Sequence, residues 1–321
     1  MIVSIAMAVY NGEQYIRQQL ESFISQDRLP DELVICDDGS TDGTVKIIED
    51  MMVSFPFKVR LYKNEWNLGY CKNFEKAISI CEGDLVFLSD QDDFWFKDKI
   101  STLCNWMEER PNLLIAQSDM EITDSNLLSS GVTQLNNFLG LGYTKNDFIT
   151  GCGAVIRKKL LQVALPFPDS GWGHDNWLFS IGFNIGQTDV YERPLMYYRR
   201  HGSAASNHFA SSVKKLSKWD ALKKSGLSDA TIGWKNEIQR CQDVSERICA
   251  AVESGLCPSN SNIINDNIRK LSLKIDALNY RIFIVGIPRW RRFFSAFLFW
   301  LRDGYKPFKG WKSFIKDCIR P

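Results

Sequence analysis

The residues best placed to do chemistry are three carboxylates within four positions, Asp90, Asp92 and Asp93. They follow residues 85–88 (Leu-Val-Phe-Leu), a short apolar run that predicts a strand covered on both faces. Carboxylates this close repel one another, and burying each costs several kcal/mol unless a cation compensates. The first basic residue after them is Lys97, so we expect no neighbouring side chain to supply that cation. Because oxygen ligands favour Mg2+ or Mn2+, the stretch predicts a metal site; the alternative is a solvated acidic loop that caps the next helix.

The composition is that of an ordinary globular protein. The chain has 321 residues, of which 45% are hydrophobic and 24% charged, with a formal net charge of +1. This length suits one large domain, or one domain with an appendage. A net charge near zero provides no general attraction for nucleic acid, so we expect no nucleic-acid partner.

The cysteines and the first residues indicate a reducing compartment. Nine cysteines are present, an odd number, and no two of them are separated by two residues. We therefore expect free thiols and, with only three histidines in the chain, no zinc site. Residues 1–4 lead directly into a strand with no basic residues, which predicts no signal peptide. No uninterrupted apolar run of 18 residues occurs, so we expect no spanning helix and a cytoplasmic protein.

Alternating apolar patterns predict the elements that would position these carboxylates. Continuous apolar runs alternate with segments whose apolar residues recur at helical spacing. The predicted strands cover residues 2–9, 32–36, 58–62 and 85–88, and the predicted helices lie around 15–24, 45–52 and 70–81. Such alternation predicts an α/β fold, with a mostly parallel sheet flanked by helices and right-handed crossovers.

Polar residues follow three of these strands. Tyr10 and Asn11 follow the first strand, Asp37 and Asp38 end the second, and residues 90–93 follow the fourth. Asn11 is also a candidate cap for the helix that comes next. Ligands of open parallel sheets bind beyond the carboxyl ends of the strands, so we expect these three loops to form one site.

The pattern changes beyond residue 100. A helix over 100–107 and a strand over 113–117 precede residues 119–148, whose polar, Gly- and Asn-rich character predicts loops over the sheet edge. Residues 150–156 predict a strand entered through small residues. Small side chains either let a ligand approach the backbone or simply form a tight turn, and both alternatives stay open.

Two later segments add candidate groups. Asp175 lies between aromatic residues at the start of an apolar helix, which suits a partly desolvated base; an ordinary helix cap is the alternative. Arg199, Arg200 and His201 precede Gly202 at the end of the next predicted strand. Such a cluster can bind phosphate oxygens, and a solvated basic turn is the alternative.

Taken in order, these motifs resemble those of family 2 glycosyltransferases, which have the Rossmann-like GT-A fold of nucleotide-diphospho-sugar transferases. The matching segments are residues 9–12, 37–44, 67–69, 90–93, 174–177 and 199–202. One Asp-x-Asp triplet is weak evidence, but an ordered set of six segments is specific. The match covers residues 1–207, so we expect a catalytic domain there and a helical C-terminal region over 208–321.

The resemblance implies a nucleotide site at the strand ends. Tyr10 would lie against the base, with Asn11 also in the donor site. Asp38, or its neighbour Asp37, would accept a hydrogen bond from the imide N–H of the base. Uracil and thymine have that donor, whereas adenine and cytosine do not, so UDP or dTDP is the expected nucleotide. Asp90 would hold the ribose.

The resemblance also implies the reacting groups. Asp92 would bind the Mg2+ or Mn2+ ion that bridges the two phosphates, and Asp93 would support that site or contact the donor sugar. Asp175 matches the general base. The segment that closes over the diphosphate is matched by Arg199, Arg200 and His201.

The implied reaction is sugar transfer with inversion. A base takes the proton of an acceptor hydroxyl, which attacks the anomeric carbon opposite the leaving diphosphate. The form of residues 89–95 is similar to that of bacterial rhamnosyltransferase-like enzymes of surface polysaccharide assembly, such as O-antigen or capsule. We therefore expect dTDP-rhamnose, UDP-glucose or UDP-galactose as donor and a lipid-linked glycan as acceptor.

The last 36 residues differ from the rest of the chain. Residues 286–321 contain nine Lys or Arg against two acids, and ten aromatic residues. The apolar block 293–301 is too short to cross a bilayer, but its basic flanks suit a helix lying in an anionic membrane surface. We therefore expect a peripheral protein on the cytoplasmic face of the inner membrane. A helical pair packed on the catalytic domain is the alternative.

Two other functions fit parts of the sequence. A non-catalytic module that binds sugar nucleotides or glycans would need the acidic residues but not the base Asp175. A nucleotidyltransferase also uses paired acids and a metal, but usually has a basic Gly-rich loop after the first strand. Here the first basic residue after that strand is Arg17, which argues against this class.

Overall fold

The structure is a computed structural model that describes residues 1–202, 209–217, 220, 230–258 and 261–320. The chain forms two compact units, Met1–Leu222 and Lys223–Pro321. The domain boundary that we expect after residue 207 lies outside the described residues.

The first unit alternates strands and helices as predicted. Its strands are β1 (Val3–Val9), β2 (Glu32–Asp37), β3 (Lys58–Lys63), β4 (Leu85–Ser89), β5 (Phe94–Trp95), β6 (Leu113–Thr123), β7 (Ser129–Thr133), β8 (Ala154–Arg157) and β9 (Gln187–Arg199). Its α-helices are α1 (Ile16–Ile24), α2 (Thr44–Met52), α3 (Tyr70–Ile80), α4 (Lys99–Glu108), α5 (Gln134–Gly140), α6 (Lys158–Ala164) and α7 (His174–Ile185).

The strands form one sheet in the order β3-β2-β1-β4-β8-β6-β9-β5, with β7 paired to β6. Strands β1 to β4 are parallel to one another. Strand β8 is antiparallel to both β4 and β6, whereas β6 and β9 are parallel. The carboxyl ends of β1, β2, β4 and β9 therefore lie at the same edge as the amino end of β8. The predicted α/β architecture with a mostly parallel sheet is confirmed.

Apolar residues of the central strands explain why this sheet is covered on both faces. Residues 85–88 of β4 are all fully buried, as the continuous apolar run predicts. Helix α1 buries Ile16, Leu20 and Phe23 at helical spacing against the same core. Full burial of such a side chain contributes about 1.5–3 kcal/mol. The sheet is thus a rigid support for the loops at its edge.

The prediction that residues 119–148 form only loops is wrong. Strand β6 continues to Thr123, and the segment also contains β7, helix α5 and a 3-10 turn at Lys145–Asp147. The reason is a sparse set of apolar residues that the polar composition obscures: Met120, Ile122, Leu135 and Phe138 are buried. These side chains dock the segment on the core instead of leaving it over the edge.

The described part of the second unit contains four helices, α8 (Thr231–Glu253), α9 (Asn262–Gly286), α10 (Arg289–Leu301) and α11 (Trp311–Ile319). Helices expected in residues 208–285 are present as α8 and α9.

Arg281 on α9 and the fully buried Asp317 on α11 form a two-bond ion pair, at 2.7 and 2.9 Å. In the described chain, no helix combines the length and apolar character needed to cross a membrane.

Candidate active site

The loop after β1 is tied to the loop after β2. The backbone N–H of Asn11 donates to Ser40 Oγ at 2.9 Å, and Asn11 Oδ1 accepts from the backbone N–H of Thr41 at 2.8 Å. Asn11 has a φ of 48°, a left-handed conformation that Asn tolerates better than most residues. The expectation that Asn11 caps the next helix is wrong, because α1 begins at Ile16 and has no side-chain cap. Its side chain instead joins two of the predicted loops.

Gln91 joins the acidic loop to the end of β1. Its Oε1 accepts from the backbone N–H of Tyr10 at 2.8 Å, and its Nε2 donates to the backbone carbonyl of Tyr10 at 3.0 Å. A Cβ at Gly12 would lie 2.4 Å from Gln91 Oε1, so the glycine leaves room for this amide. The Tyr10 side chain remains 47% exposed beside these bonds. The sequence does not predict this role of Gln91, because an amide side chain between two acids does not indicate which backbone groups it will bond.

The two acids at the end of β2 differ in how their oxygens are used. Both carboxylates are buried. Asp38 accepts three hydrogen bonds, from Asn64 Nδ2 and from the backbone N–H groups of Leu68 and Gly69, at 2.8–2.9 Å. Asp37 Oδ2 accepts from the backbone after it, but its Oδ1 has no hydrogen-bond partner among the described residues. Asp38 therefore holds the loop after β3, and Asp37 has an acceptor oxygen left.

The acidic loop is not a solvated one. Asp93 is 1% exposed, and ligand atoms of Asp90, Asp93 and Cys152 lie within 4.8 Å of one another. Burial, together with the charges of Asp92 and Asp175, raises the pKa of Asp90 to about 7. Burial raises the pKa of Asp93 and that of the Cys152 thiol well above their usual ranges. Thiolate is a soft ligand, whereas Mg2+ and Mn2+ prefer oxygen, so this trio with Cys152 is not the all-oxygen site that the sequence predicts.

A buried cation lies near these acids, although we expected no neighbouring side chain to supply one. Lys99, the first residue of α4, is fully buried. Its Nζ donates to the carbonyl of Cys152 at 3.0 Å and lies 4.1 Å from the centre of the Trp95 ring. Burial lowers the pKa of Lys99 to about 8, against the opposing charges of Asp93 and Asp90. Part of the acidic charge is therefore balanced from within the protein.

Asp92 forms a pair with His201. Its side chain is 20% exposed, and its Oδ2 lies 2.8 Å from Nε2 of His201. The His201 ring in turn packs against Tyr15, with 4.6 Å between ring centres. A carboxylate oxygen and an imidazole nitrogen are both ligand types for a divalent cation, which this pair could hold once the proton they share is lost. The structure thus brings together Asp92, the predicted ligand, and His201, which the resemblance places on the diphosphate.

Arg199 points into the protein. Its backbone N–H donates to Asp93 Oδ1 at 3.1 Å, and its Nε donates to the backbone carbonyl of Asp92 at 2.7 Å. Its terminal nitrogens bond the Ser125 carbonyl and Gln18 Oε1, and the side chain is buried. Through these bonds Arg199 positions the acidic loop, and Nε, Nη1 and Nη2 of its guanidinium each donate to a protein acceptor.

Arg200 differs from Arg199 in being only half-buried. Its Nη1 donates to the hydroxyl of Tyr198 at 3.3 Å, and its guanidinium lies over the same ring. Of the two arginines, Arg200 is therefore the more exposed one.

Asp175 is the second residue of α7, and its carboxylate is half-buried. It does not cap the helix, since the N-cap is Gly173 and no side-chain cap bond forms. Its Oδ1 accepts from the backbone and side-chain N–H groups of Asn176, at 2.7 and 3.0 Å. Its charge is close enough to contribute to the raised pKa of Asp90. Asp175 therefore lies within electrostatic range of the acidic loop.

The small residues before β8 are needed for packing within the protein. A Cβ at Gly151 would lie 2.4 Å from Nε2 of His174, and one at Gly153 would lie 3.0 Å from the carbonyl of Ser118. The His174 ring stacks on Phe74 with 4.1 Å between ring centres, and its nitrogens have no hydrogen-bond partner in the described structure. Close packing, rather than ligand access, accounts for these glycines.

The model of the glycosyl transferase family 2 matches residues 4–164 of the chain. A dTDP-rhamnosyl transferase, RfbG of Shigella flexneri, is 28% identical over 65% of this chain and 78% of its own length. The Escherichia coli enzyme WfaP, a UDP-Glc:alpha-D-GlcNAc-diphosphoundecaprenol beta-1,3-glucosyltransferase, is 28% identical over 67% of this chain and 84% of its own.

A solved structure has the same fold. The crystal structure of S. aureus TarS 1-349 in complex with UDP-GlcNAc superposes with a TM-score of 0.58 at 16% identity, covering 100% of this chain and 90% of that one. Its fold is that of GT-A glycosyltransferases, so the predicted fold class is confirmed. The family match spans half of the chain and includes the loops after β1, β2 and β4 that form the site. The chain belongs to the glycosyl transferase family 2.

Proposed function

We propose that the first unit is an inverting glycosyltransferase that transfers a sugar from a UDP- or dTDP-sugar to a hydroxyl group, with Asp175 as the base. The observation that carries this proposal is that Asp175 lies within electrostatic range of Asp90, which follows β4 at the sheet edge where the loops with Tyr10 and Asp37 also end. A site that only bound a sugar nucleotide would not need a carboxylate in that place.

The choice of nucleotide rests on Asp37. Its Oδ1 is a buried acceptor with no partner among the described residues, and an unpaired buried acceptor is costly unless a ligand supplies the donor. The imide N–H of uracil or thymine is such a donor. The exposed ring of Tyr10 at the adjacent strand end gives the base a surface to stack on. The names of RfbG and WfaP, a dTDP-rhamnosyl and a UDP-Glc transferase, agree with this choice.

We propose dTDP-rhamnose, UDP-glucose or UDP-galactose as the donor sugar nucleotide. Asp90 contacts the ribose. Asp93 is buried, so it supports the acidic loop and affects the donor sugar only indirectly. Asn11 acts indirectly, by fixing the loop around Ser40 and Thr41. Sugar selection depends on contacts made when the donor is bound.

Asp92 and His201 would hold Mg2+ or Mn2+. When bound, the ion neutralises negative charge on the diphosphate leaving group. Arg199 keeps the acidic loop in place through the carbonyl of Asp92. Arg200 is proposed to contact the diphosphate, because the family resemblance implies that role for its segment. Asp175 accepts the acceptor's proton as the hydroxyl oxygen attacks the anomeric carbon from the face opposite the leaving group. One base is enough, because inversion requires no covalent intermediate.

The acceptor is proposed to be a lipid-linked glycan in the assembly of an O-antigen or capsule-type polysaccharide, at the cytoplasmic face of the inner membrane. The support comes from the relatives: WfaP is named for a sugar on diphosphoundecaprenol, and it aligns with two thirds of this chain. Acceptors of this chemistry are held at a membrane surface by their lipid.

The test is transfer from a panel of UDP- and dTDP-sugars to a diphosphoundecaprenol-linked GlcNAc acceptor, with Mn2+ present. We expect product from one of the three proposed donors and none from the variant Asp175→Asn, which should still bind UDP. Asp50→Asn, at an exposed position on α2, is the matched control and should keep full activity. Transfer by Asp175→Asn at the wild-type rate would refute the assignment of the base.

A further inference from the structure

Helix α10 has an exposed apolar face. Its exposed large residues are Trp290, Phe293, Phe294, Phe297, Leu298, Trp300 and Leu301. These positions are separated by three or four residues, so they form one continuous stripe along the helix. Trp290 is 76% exposed and Phe294 66%. A helix of a folded protein normally directs such a stripe at its core.

The opposite side of α10 is what holds the helix in its unit. Ala296 is fully buried against Ile284 of α9 and Tyr305, together with the half-buried Phe299. Arg292 is buried and donates to three backbone carbonyls, those of Val285, Ile287 and Arg320. The helix is therefore anchored by its narrower face, and the exposed stripe is not needed for that packing.

Helix α11 repeats this arrangement. Trp311, Ile315 and Ile319 are exposed at intervals of four residues, and Ser313 and Asp317 on the other face are buried. The helices touch through Phe314, whose ring centre lies 5.8 Å from that of Phe293. Two neighbouring helices thus each present an apolar face to the outside.

The exposed charge around these faces is almost entirely positive. Six basic side chains of this region are exposed: Arg289, Arg291, Arg302, Lys306, Lys309 and Lys312. Of the two acids among residues 286–321, Asp317 is buried in its ion pair with Arg281, which leaves Asp303 as the exposed one. Burial of Asp317 therefore increases the net positive charge that a partner would meet.

We propose that the apolar stripes of α10 and α11, with their basic surround, are a docking surface for an anionic lipid bilayer. The inference rests on the proposed function in one respect, since a lipid-linked acceptor requires the enzyme to work at such a surface. Exposed Trp and Phe suit the headgroup boundary, and Lys and Arg are attracted to anionic headgroups. With 13 residues, α10 is about 20 Å long, against roughly 30 Å of hydrocarbon, so it lies in the interface without crossing it.

The experiment is flotation of the full-length protein with vesicles of phosphatidylcholine alone and of phosphatidylcholine mixed with phosphatidylglycerol. We expect binding to the mixed vesicles, weakened by added salt, and little binding to phosphatidylcholine alone. Trp290→Ser combined with Phe294→Ser should weaken binding at least about tenfold, because both rings leave the interface. The triple variant Lys306→Gln, Lys309→Gln and Lys312→Gln should weaken it about a hundredfold, at roughly fivefold for each lysine.

The matched control is Val53→Ser combined with Leu128→Ser, at two strongly exposed apolar positions of the first unit, and it should float like the wild type. Stabilisation by UDP with Mn2+ is measured on every variant; if it is preserved while flotation changes, the donor site is separate from the docking surface. Equal flotation of the Trp290/Phe294 variant and the wild type would overturn the proposal. So would self-association of the wild type, abolished by that variant, without any vesicle binding.

Discussion

Nε2 of His201, after the last strand of the sheet, lies 2.8 Å from Oδ2 of Asp92 in the acidic loop. The two residues are 109 positions apart in the chain, and Arg199 binds the backbone of the same loop. The carboxyl end of β9 and the residues that follow it therefore supply both a potential metal ligand, His201, and the arginine that fixes the acidic loop, Arg199.

Asp92→Asn should abolish the effect of Mn2+ on UDP binding, and His201→Gln should weaken Mn2+ binding about 10–100-fold. The reason is that each variant removes one of the two converging donor atoms. Titration calorimetry of Mn2+ into the UDP-saturated protein measures both effects. Asp50→Asn, on the exposed side of α2, serves as the control for loss of a carboxylate. Unchanged Mn2+ affinity in His201→Gln would show that His201 is not a ligand.

Gln91→Ala should lower both stability and nucleotide affinity. It removes the two hydrogen bonds that join the acidic loop to Tyr10, which together contribute about 1–3 kcal/mol to the free energy of unfolding. Loss of the link also frees the Tyr10 loop, so we expect weaker UDP binding. Urea unfolding and a UDP titration check the two parts separately. If both values match the wild type, Gln91 does not hold the two loops together.

Asp37→Asn and Asp38→Asn should have different effects although the residues are adjacent. Asp38→Asn disturbs the three hydrogen bonds to the loop after β3 and should cost about 2–4 kcal/mol of stability. Asp37→Asn can keep one oxygen for the backbone of Gly39 and Ser40 but loses the free acceptor. We expect it to bind UDP at least about tenfold more weakly, at near wild-type stability.

Unfolding midpoints in urea and UDP dissociation constants distinguish these outcomes. The interpretation fails if Asp38→Asn is the variant that loses UDP binding while remaining as stable as the wild type. In that case Asp38, the other residue that the family resemblance implies, would contact the base.

His174 should make stability depend on pH below neutrality. Burial lowers the pKa of His174 in the folded protein, partly opposed by the charge of Asp175. The unfolded chain, where His titrates near about 6.5, then binds a proton that the folded protein does not. The stabilisation is therefore present above about pH 6.5 and is lost as the pH falls from there towards the folded-state pKa.

The measurement is the free energy of unfolding in urea at several values between about pH 7 and 5.5. His174→Asn, which has no charge in this range, should have a shallower slope than the wild type. Equal slopes in the two proteins would mean that His174 does not titrate differently on folding.

The sequence predicts the position of the site but not its internal contacts. Alternating apolar runs are sufficient to place Tyr10, Asp37 and Asp90 at one edge, because the ends of neighbouring parallel strands must meet there. The direction of a side chain is set by tertiary packing. The sequence predicts that Arg199 binds phosphate, whereas in the structure its Nε donates to the backbone carbonyl of Asp92 in the acidic loop.

Lys99 shows the same limitation for charge. Its position six residues after Asp93 suggests no contact with the acids, but the short strand β5 and the start of α4 bring it back beneath them. Residues 119–148 were mispredicted for a related reason, since a few buried apolar side chains outweigh a polar composition. The sequence predicts that the C-terminal segment is rich in aromatic residues, but only the structure shows which rings are buried, such as Tyr305, and which are exposed.

The central claim is that the acidic strand ends form a metal-dependent site for a uridine or thymidine diphosphate. Thermal unfolding of the wild type and of Asp92→Asn, with UDP, dTDP, GDP, CDP or ADP and with or without Mn2+, tests it most directly. At a hundred times its dissociation constant a ligand stabilises the folded state by roughly 2.7 kcal/mol. We predict a rise in Tm for the wild type with UDP or dTDP, only when Mn2+ is present, and none for Asp92→Asn. Equal shifts with all five nucleotides, or none with any, would contradict the claim.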